Sequence, residues 1–144
     1  MFSEKNMETA IGELLRALNE TEPAPIGAMF AFELLHCDPE ADEVLFRCKT
    51  LPWMCNTVGV LHGGMGAAVL DQAMSYVARA VKPDHQQTAT IQLQVYYHHP
   101  IIPGEELQVI VRKTSRSRSL MHFSSEVIAG GKLCLSGTAM FYLK

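Results

Sequence analysis

A chain of 144 residues is long enough for one ordinary domain that buries its own core without disulfides or metal. With 48% hydrophobic and 19% charged residues it has the composition of a globular protein, and a formal net charge of −3 argues against nucleic acid or an anionic membrane as its main partner. No apolar run approaches the ~18 residues that span a bilayer. The opening MFSEKNMETAIGELL mixes acids among its apolar positions, unlike a secretory leader. The expected location is therefore the cytoplasm. Cys37, Cys48, Cys55 and Cys134 form no C-x-x-C pair and are expected to be reduced thiols.

No repeat, low-complexity tract or charge block divides the chain, so residues 1–144 read as a single domain. Met7, Ile11, Leu14, Leu15 and Leu18 recur at helical spacing and predict a first helix over 6–19, with Pro23 and Pro25 after its stop. AMFAFELLHC and EVLFRCKT read as β-prone runs around the turn DPEAD. LPWMCNTVGV is a loop or irregular strand leading to a glycine pair. A second helix runs from Gly63 or Gly64 to about Val81, with Pro83 beyond its end, and its only charged residues are Asp71 and Arg79. Four strand-like runs follow at 87–98, 105–113, 119–129 and 133–143, and Gly130–Gly131 marks a tight hairpin between the last two. A helix that is apolar nearly all round must be covered on most sides. A strongly curved antiparallel sheet wrapped around it meets that need with few strands. The fold class is therefore α+β, with the long helix in the hollow of the sheet.

The stretch NTVGVLHGGMGAAVLDQAMSYVA carries the chemistry. A helix N-terminus offers unpaired N–H groups and a partial positive charge, and glycine lets a ligand approach the backbone. Such a site holds a phosphate or polarises a carbonyl. The Lys-Ser/Thr of a P-loop and the third glycine of a dinucleotide fingerprint are absent, which favours a carbonyl. Asp71 has Ala67, Ala68, Met74 and Ser75 at helical spacing, a small and mostly apolar face. There it either pairs with a base or with water at a subunit seam, or it is a desolvated carboxylate suited to act as general base or nucleophile.

The pattern N-x-x-G-x-x-HGG with an Asp nine residues after the His resembles the hotdog-fold acyl-CoA thioesterases, above all the phenylacetate-degradation subgroup. The likeness runs from about Asn56 to the C-terminus and includes QLQVYYHHPI, where that family has a strand ending in a tyrosine and a proline. The resemblance implies hydrolysis of an acyl-CoA thioester without metal or cofactor. It implies that the Gly63 N–H polarises the thioester carbonyl and that Asp71 activates water or attacks the carbon. Asn56 and His62 match positions that shape the carbonyl site or hold the leaving sulfur, and Thr90 matches a Ser or Thr that positions the attacking water. His98 and His99 depart from a family pattern in which an arginine commonly precedes the proline.

Other residues have plainer readings. His62 also suits a helix cap, Trp53 and Met54 suit either core or an acyl pocket, and Ser75 suits close packing. The densest positive charge is VRKTSRSRSL, with Arg112, Lys113, Arg116 and Arg118. Such a run is ordinarily a solvated hairpin tip, yet CoA carries phosphates that arginine binds well, so Arg116 and Arg118 are candidate substrate contacts together with Gly64. A binding module without turnover is the alternative function. A hydratase of the same fold would require a different local motif.

Gly63 and Asp71 are eight residues apart, or ~12 Å along one helix, whereas an attacking atom must stand ~3–3.5 Å from its carbon. The expected assembly is therefore a homodimer whose antiparallel helices share two sites; a dimer of dimers is expected beyond it, though helix spacing does not decide between dimer and tetramer.

Overall fold

The structure, a computed structural model, describes residues 4–22, 24–81 and 87–143. Pro23 and Pro83, expected just beyond the two long helices, lie outside those residues. Helix α1 (Glu4–Asn19) is followed by a single helical turn, α2 (Ile26–Met29), then strands β1 (Glu33–Asp38) and β2 (Glu43–Lys49). A short 3-10 turn at Pro52–Met54 leads to the long helix α3 (Gly63–Ala80). Strands β3 (Thr88–Tyr97), β4 (Glu106–Arg116), β5 (Leu120–Ala129) and β6 (Lys132–Leu143) complete the chain. No helix among the described residues is long and apolar enough to cross a membrane.

The six strands form one antiparallel sheet in the order β1-β2-β4-β5-β6-β3, and α3 lies against its inner face. This is the hotdog arrangement expected from the sequence. Within it, β3 and β4 are consecutive in the chain but not neighbours in the sheet. Residues 98–105 carry the chain across the sheet end, and β3 pairs with β6 at the far edge. Periodicity identifies a strand but not its neighbour.

The first β-prone run is corrected. Its opening residues form the turn α2, entered from Pro25 and closed by Ala31 in the left-handed region (φ 50), so the strand begins only at Glu33. Apolar runs this short fit either helix or strand. α2 lies so close to α3 that a Cβ on Gly27 would stand 2.9 Å from the Gln72 amide nitrogen.

Two turns formed as their chemistry dictates. Asp38 Oδ1 accepts the N–H groups of Glu40 (3.0 Å) and Ala41 (3.1 Å), closing the β1–β2 hairpin. Gly130 and Gly131 both take positive φ (56 and 73), which a two-residue turn matched to strand twist requires.

Side chains facing α3 make four rows across the sheet. From one end to the other they are Arg116–Met121–Phe141–Thr90, Lys113–Phe123–Ala139–Leu93, Val111–Ser125–Gly137–Val95 and Val109–Val127–Leu135–Tyr97. Against them α3 buries Val69, Leu70, Ala73, Met74, Tyr76 and Val77. Phe32, Phe46 and Tyr76 meet at centroid separations of 5.7–5.9 Å, and each such pair adds about 0.5–1.5 kcal/mol beyond its buried area. Met7 and Ile11 of α1 are buried, and that helix covers the β1 side of the sheet. Among the described residues no strand lies beyond the β3 edge, which is ten residues long.

Candidate active site

The start of α3 is held from three directions. Asn56 Oδ1 accepts the N–H groups of Val58 (3.1 Å) and Val60 (3.2 Å), while the Asn56 N–H reaches Val60 O at 2.9 Å. With Gly59 at φ 82, this closes a tight loop before the helix. The Leu61 N–H then binds Ile101 O (2.7 Å) and the His62 N–H binds Met54 O (2.9 Å). His62 is the N-cap, its Nδ1 accepting the Gly64 N–H at 2.9 Å. An Nδ1 that accepts leaves Nε2 to carry the proton of a neutral ring.

That cap occupies the Gly64 N–H and leaves the neighbouring one open. Among the described residues no acceptor meets the Gly63 N–H. On the other side of the same residue, the Tyr97 hydroxyl donates to Gly63 O at 2.5 Å. A cleft of about 330 Å³ opens here, lined by Val60, His62, Gly63, Tyr97, His99 and Leu135 among others. Tyr97 had no assigned role from sequence. Its signal was the aromatic end of a strand beside a proline, which identifies a boundary and not a bond.

Asp71 lies two turns further along. Gly64, Ala68, Asp71, Gln72, Ser75 and Arg79 recur at helical spacing and make the face of α3 that the sheet leaves uncovered. The Asp71 carboxylate is half-buried, and the Thr90 hydroxyl donates to its Oδ1 at 2.7 Å. The structure therefore joins Thr90 to Asp71 directly. It does not join Asp71 to Gly63: their partners on β3, Thr90 and Tyr97, stand seven residues apart, ~23 Å along the strand.

The basic run splits in two. Arg112 bridges Glu43 (2.7 Å) and Glu126 (3.0 Å), and Lys113 binds Asp42 (2.9 Å). Arg116 and Arg118 are exposed at the β4–β5 hairpin, and no carboxylate pairs with either among the described residues. His98 Nε2 lies 2.8 Å from Ser136 Oγ on the outer side of the sheet, away from α3. Cys48 is buried, and burial pushes its thiol up to about 12, far from the range of a nucleophile. Met54 belongs to the core, while Trp53 stacks on Phe30 at 5.8 Å with much of its ring exposed.

The sheet thus wraps a helix whose first N–H is open among the described residues and whose face away from the sheet carries a carboxylate. The sequence profile of the thioesterase superfamily matches residues 58–135, more than half of the chain, and the protein belongs to that superfamily. Among solved structures it is similar to a phenylacetic acid degradation-related protein of Ralstonia eutropha, with TM-score 0.80 and 24% identity over 92% of this chain and 98% of that one. The PaaI protein of the E. coli phenylacetic acid degradation operon superposes with TM-score 0.81 at 10% identity, over 98% and 95%. A Streptococcus mutans protein bound to acetyl-CoA gives 0.70 at 17% identity, over 78% and 88%. No curated protein matches the sequence.

Proposed function

We propose that this protein hydrolyses an acyl-CoA thioester to the free acid and CoA. The observation that carries the reading is the Gly63 N–H, left open at a capped helix start and facing a cleft. The acetyl-CoA held by a fold neighbour supports CoA as the carrier. In the reaction the thioester oxygen takes the Gly63 N–H bond, which strengthens as charge gathers on it. Asp71 either takes a proton from water as the water oxygen bonds to the carbonyl carbon, or forms that bond itself and gives an anhydride that water then opens. The tetrahedral oxyanion collapses, the C–S bond breaks and the sulfur leaves as thiolate. Thr90 orients the carboxylate, His62 presents Nε2–H at the cleft, and Asn56 keeps the loop closed so that the N–H stays aimed.

Because one chain fastens Gly63 and Asp71 apart, each site takes its N–H from one protomer and its acid from a second. The uncovered α3 face with Gly64, Ala68 and Ser75 admits close approach of a second helix, and the bare β3 edge offers unpaired backbone beside it. The test is a panel of aromatic, hydroxylated and medium-chain acyl-CoAs with detection of free thiol. Turnover on at least one is expected. Tight binding of CoA esters without turnover on any would instead make the protein a binding module.

A further inference from the structure

In the first inward row, Arg116 pairs with Met121, Met121 with Phe141, and Phe141 with Thr90. Met121 and Phe141 are buried beneath α3, so Arg116 stands on the helix-facing side of the sheet. Three strand spacings separate it from Thr90, or ~14 Å, and Thr90 is hydrogen-bonded to Asp71. Arg118 follows in the adjoining turn. The opposite row ends at Tyr97, which holds Gly63, and its other members are Val109, Val127 and Leu135. The cleft at that end contains histidines but no arginine or lysine. Arg116 and Arg118, which pair with no carboxylate among the described residues, thus lie at the acid end of the chain, far from its own open N–H.

We infer that Arg116 and Arg118 hold the phosphates of a CoA thioester in the site completed by Asp71 of their own protomer, not in the site to which that protomer lends its Gly63 N–H. This rests on the shared-site reading above and deepens it. One chain polarises the carbonyl; the other supplies both the acid and the anion clamp. The chemistry recognised is a phosphate ester with a diphosphate, for which the planar guanidinium forms paired N–H···O bonds.

The experiment uses a mixed dimer carrying two different tags, one chain Asp71→Asn and the other Gly63→Pro, so that only one site is intact. Arg116→Ala with Arg118→Ala is then introduced into one chain or the other. Placed in the Gly63→Pro chain, which supplies the working Asp71, the swap is expected to raise KM for acyl-CoA about tenfold more than in the Asp71→Asn chain. KM for the matching acyl-pantetheine, which lacks the nucleotide, should not distinguish the two placements. A larger rise from the Asp71→Asn chain would put the clamp with the Gly63 protomer and overturn the inference, and equal effects from both would remove these arginines from nucleotide binding. A mixed dimer that is folded but inactive before any arginine is changed strikes the shared-site reading itself. If Gly63→Pro does not fold, Gly63→Val replaces it. A Cβ there meets Tyr97 Oη at an ordinary 3.6 Å, so the chain tolerates the residue while its side chain fills the cleft.

Discussion

The two ends of β3 do different work with the same kind of group. At one end the Tyr97 hydroxyl binds a backbone carbonyl, and at the other the Thr90 hydroxyl binds a carboxylate. The tyrosine end is neutral, built of glycine and loop backbone, and its open donor is a peptide N–H. The threonine end is charged and stands beside the helix face that the sheet leaves uncovered. A peptide donor needs only rigid placement, which the capped and stapled loop provides. A carboxylate needs orientation and a partner to act on. On the proposed reading, the strand that fastens both keeps them too far apart to serve one substrate within a single chain.

The largest effect should come from removing the charge at the threonine end. Asp71→Asn keeps the side-chain shape and the fold, yet kcat should fall by ~10² to 10⁴. Retention of more than roughly a third of wild-type kcat would remove Asp71 from the chemistry. Next in size is recovery across chains. Asp71→Asn and Gly63→Pro, each inactive alone, should regain about a quarter of wild-type activity when unfolded and refolded together at random, because half the dimers are mixed and each of those has one intact site.

Smaller effects separate the two hydroxyls. Thr90→Val takes a donor from a charged acceptor and should lower kcat roughly tenfold with KM little changed. Tyr97→Phe removes a bond between neutral groups and should lower kcat about fivefold. In a mixed dimer with one intact site, Tyr97→Phe should act only from the chain that lends Gly63, and Thr90→Val only from the chain that lends Asp71. Steady-state kinetics on such dimers would break the comparison if either substitution acted equally from both.

Much of this was legible before any coordinates. The long helix, its start at the glycine pair, the β1–β2 turn at Asp38 and the hairpin at Gly130–Gly131 all rest on local chemistry: apolar spacing, a capping side chain, a positive φ. The curved sheet around one helix followed from the need to cover a helix that is apolar nearly all round. Local reasoning failed where an apolar run was too short to distinguish helix from strand, over residues 28–32, and it is silent on strand order, which depends on partners remote in sequence, as for β3.

The site divides along the same line. Readable from the sequence are the residue types that stand on α3, the separation of Gly63 and Asp71 along one helix, and the resemblance to thioesterases of this fold, since helix rise and motif spacing are local quantities. Long-range packing decided that Thr90 binds Asp71, that Tyr97 holds Gly63, that Arg112 and Lys113 are taken up by acids while Arg116 and Arg118 meet no carboxylate among the described residues, and that Arg116 shares a row with Thr90, the partner of Asp71. Each of those depends on strand register, which is set by packing between segments far apart in the chain and leaves no mark in any single segment.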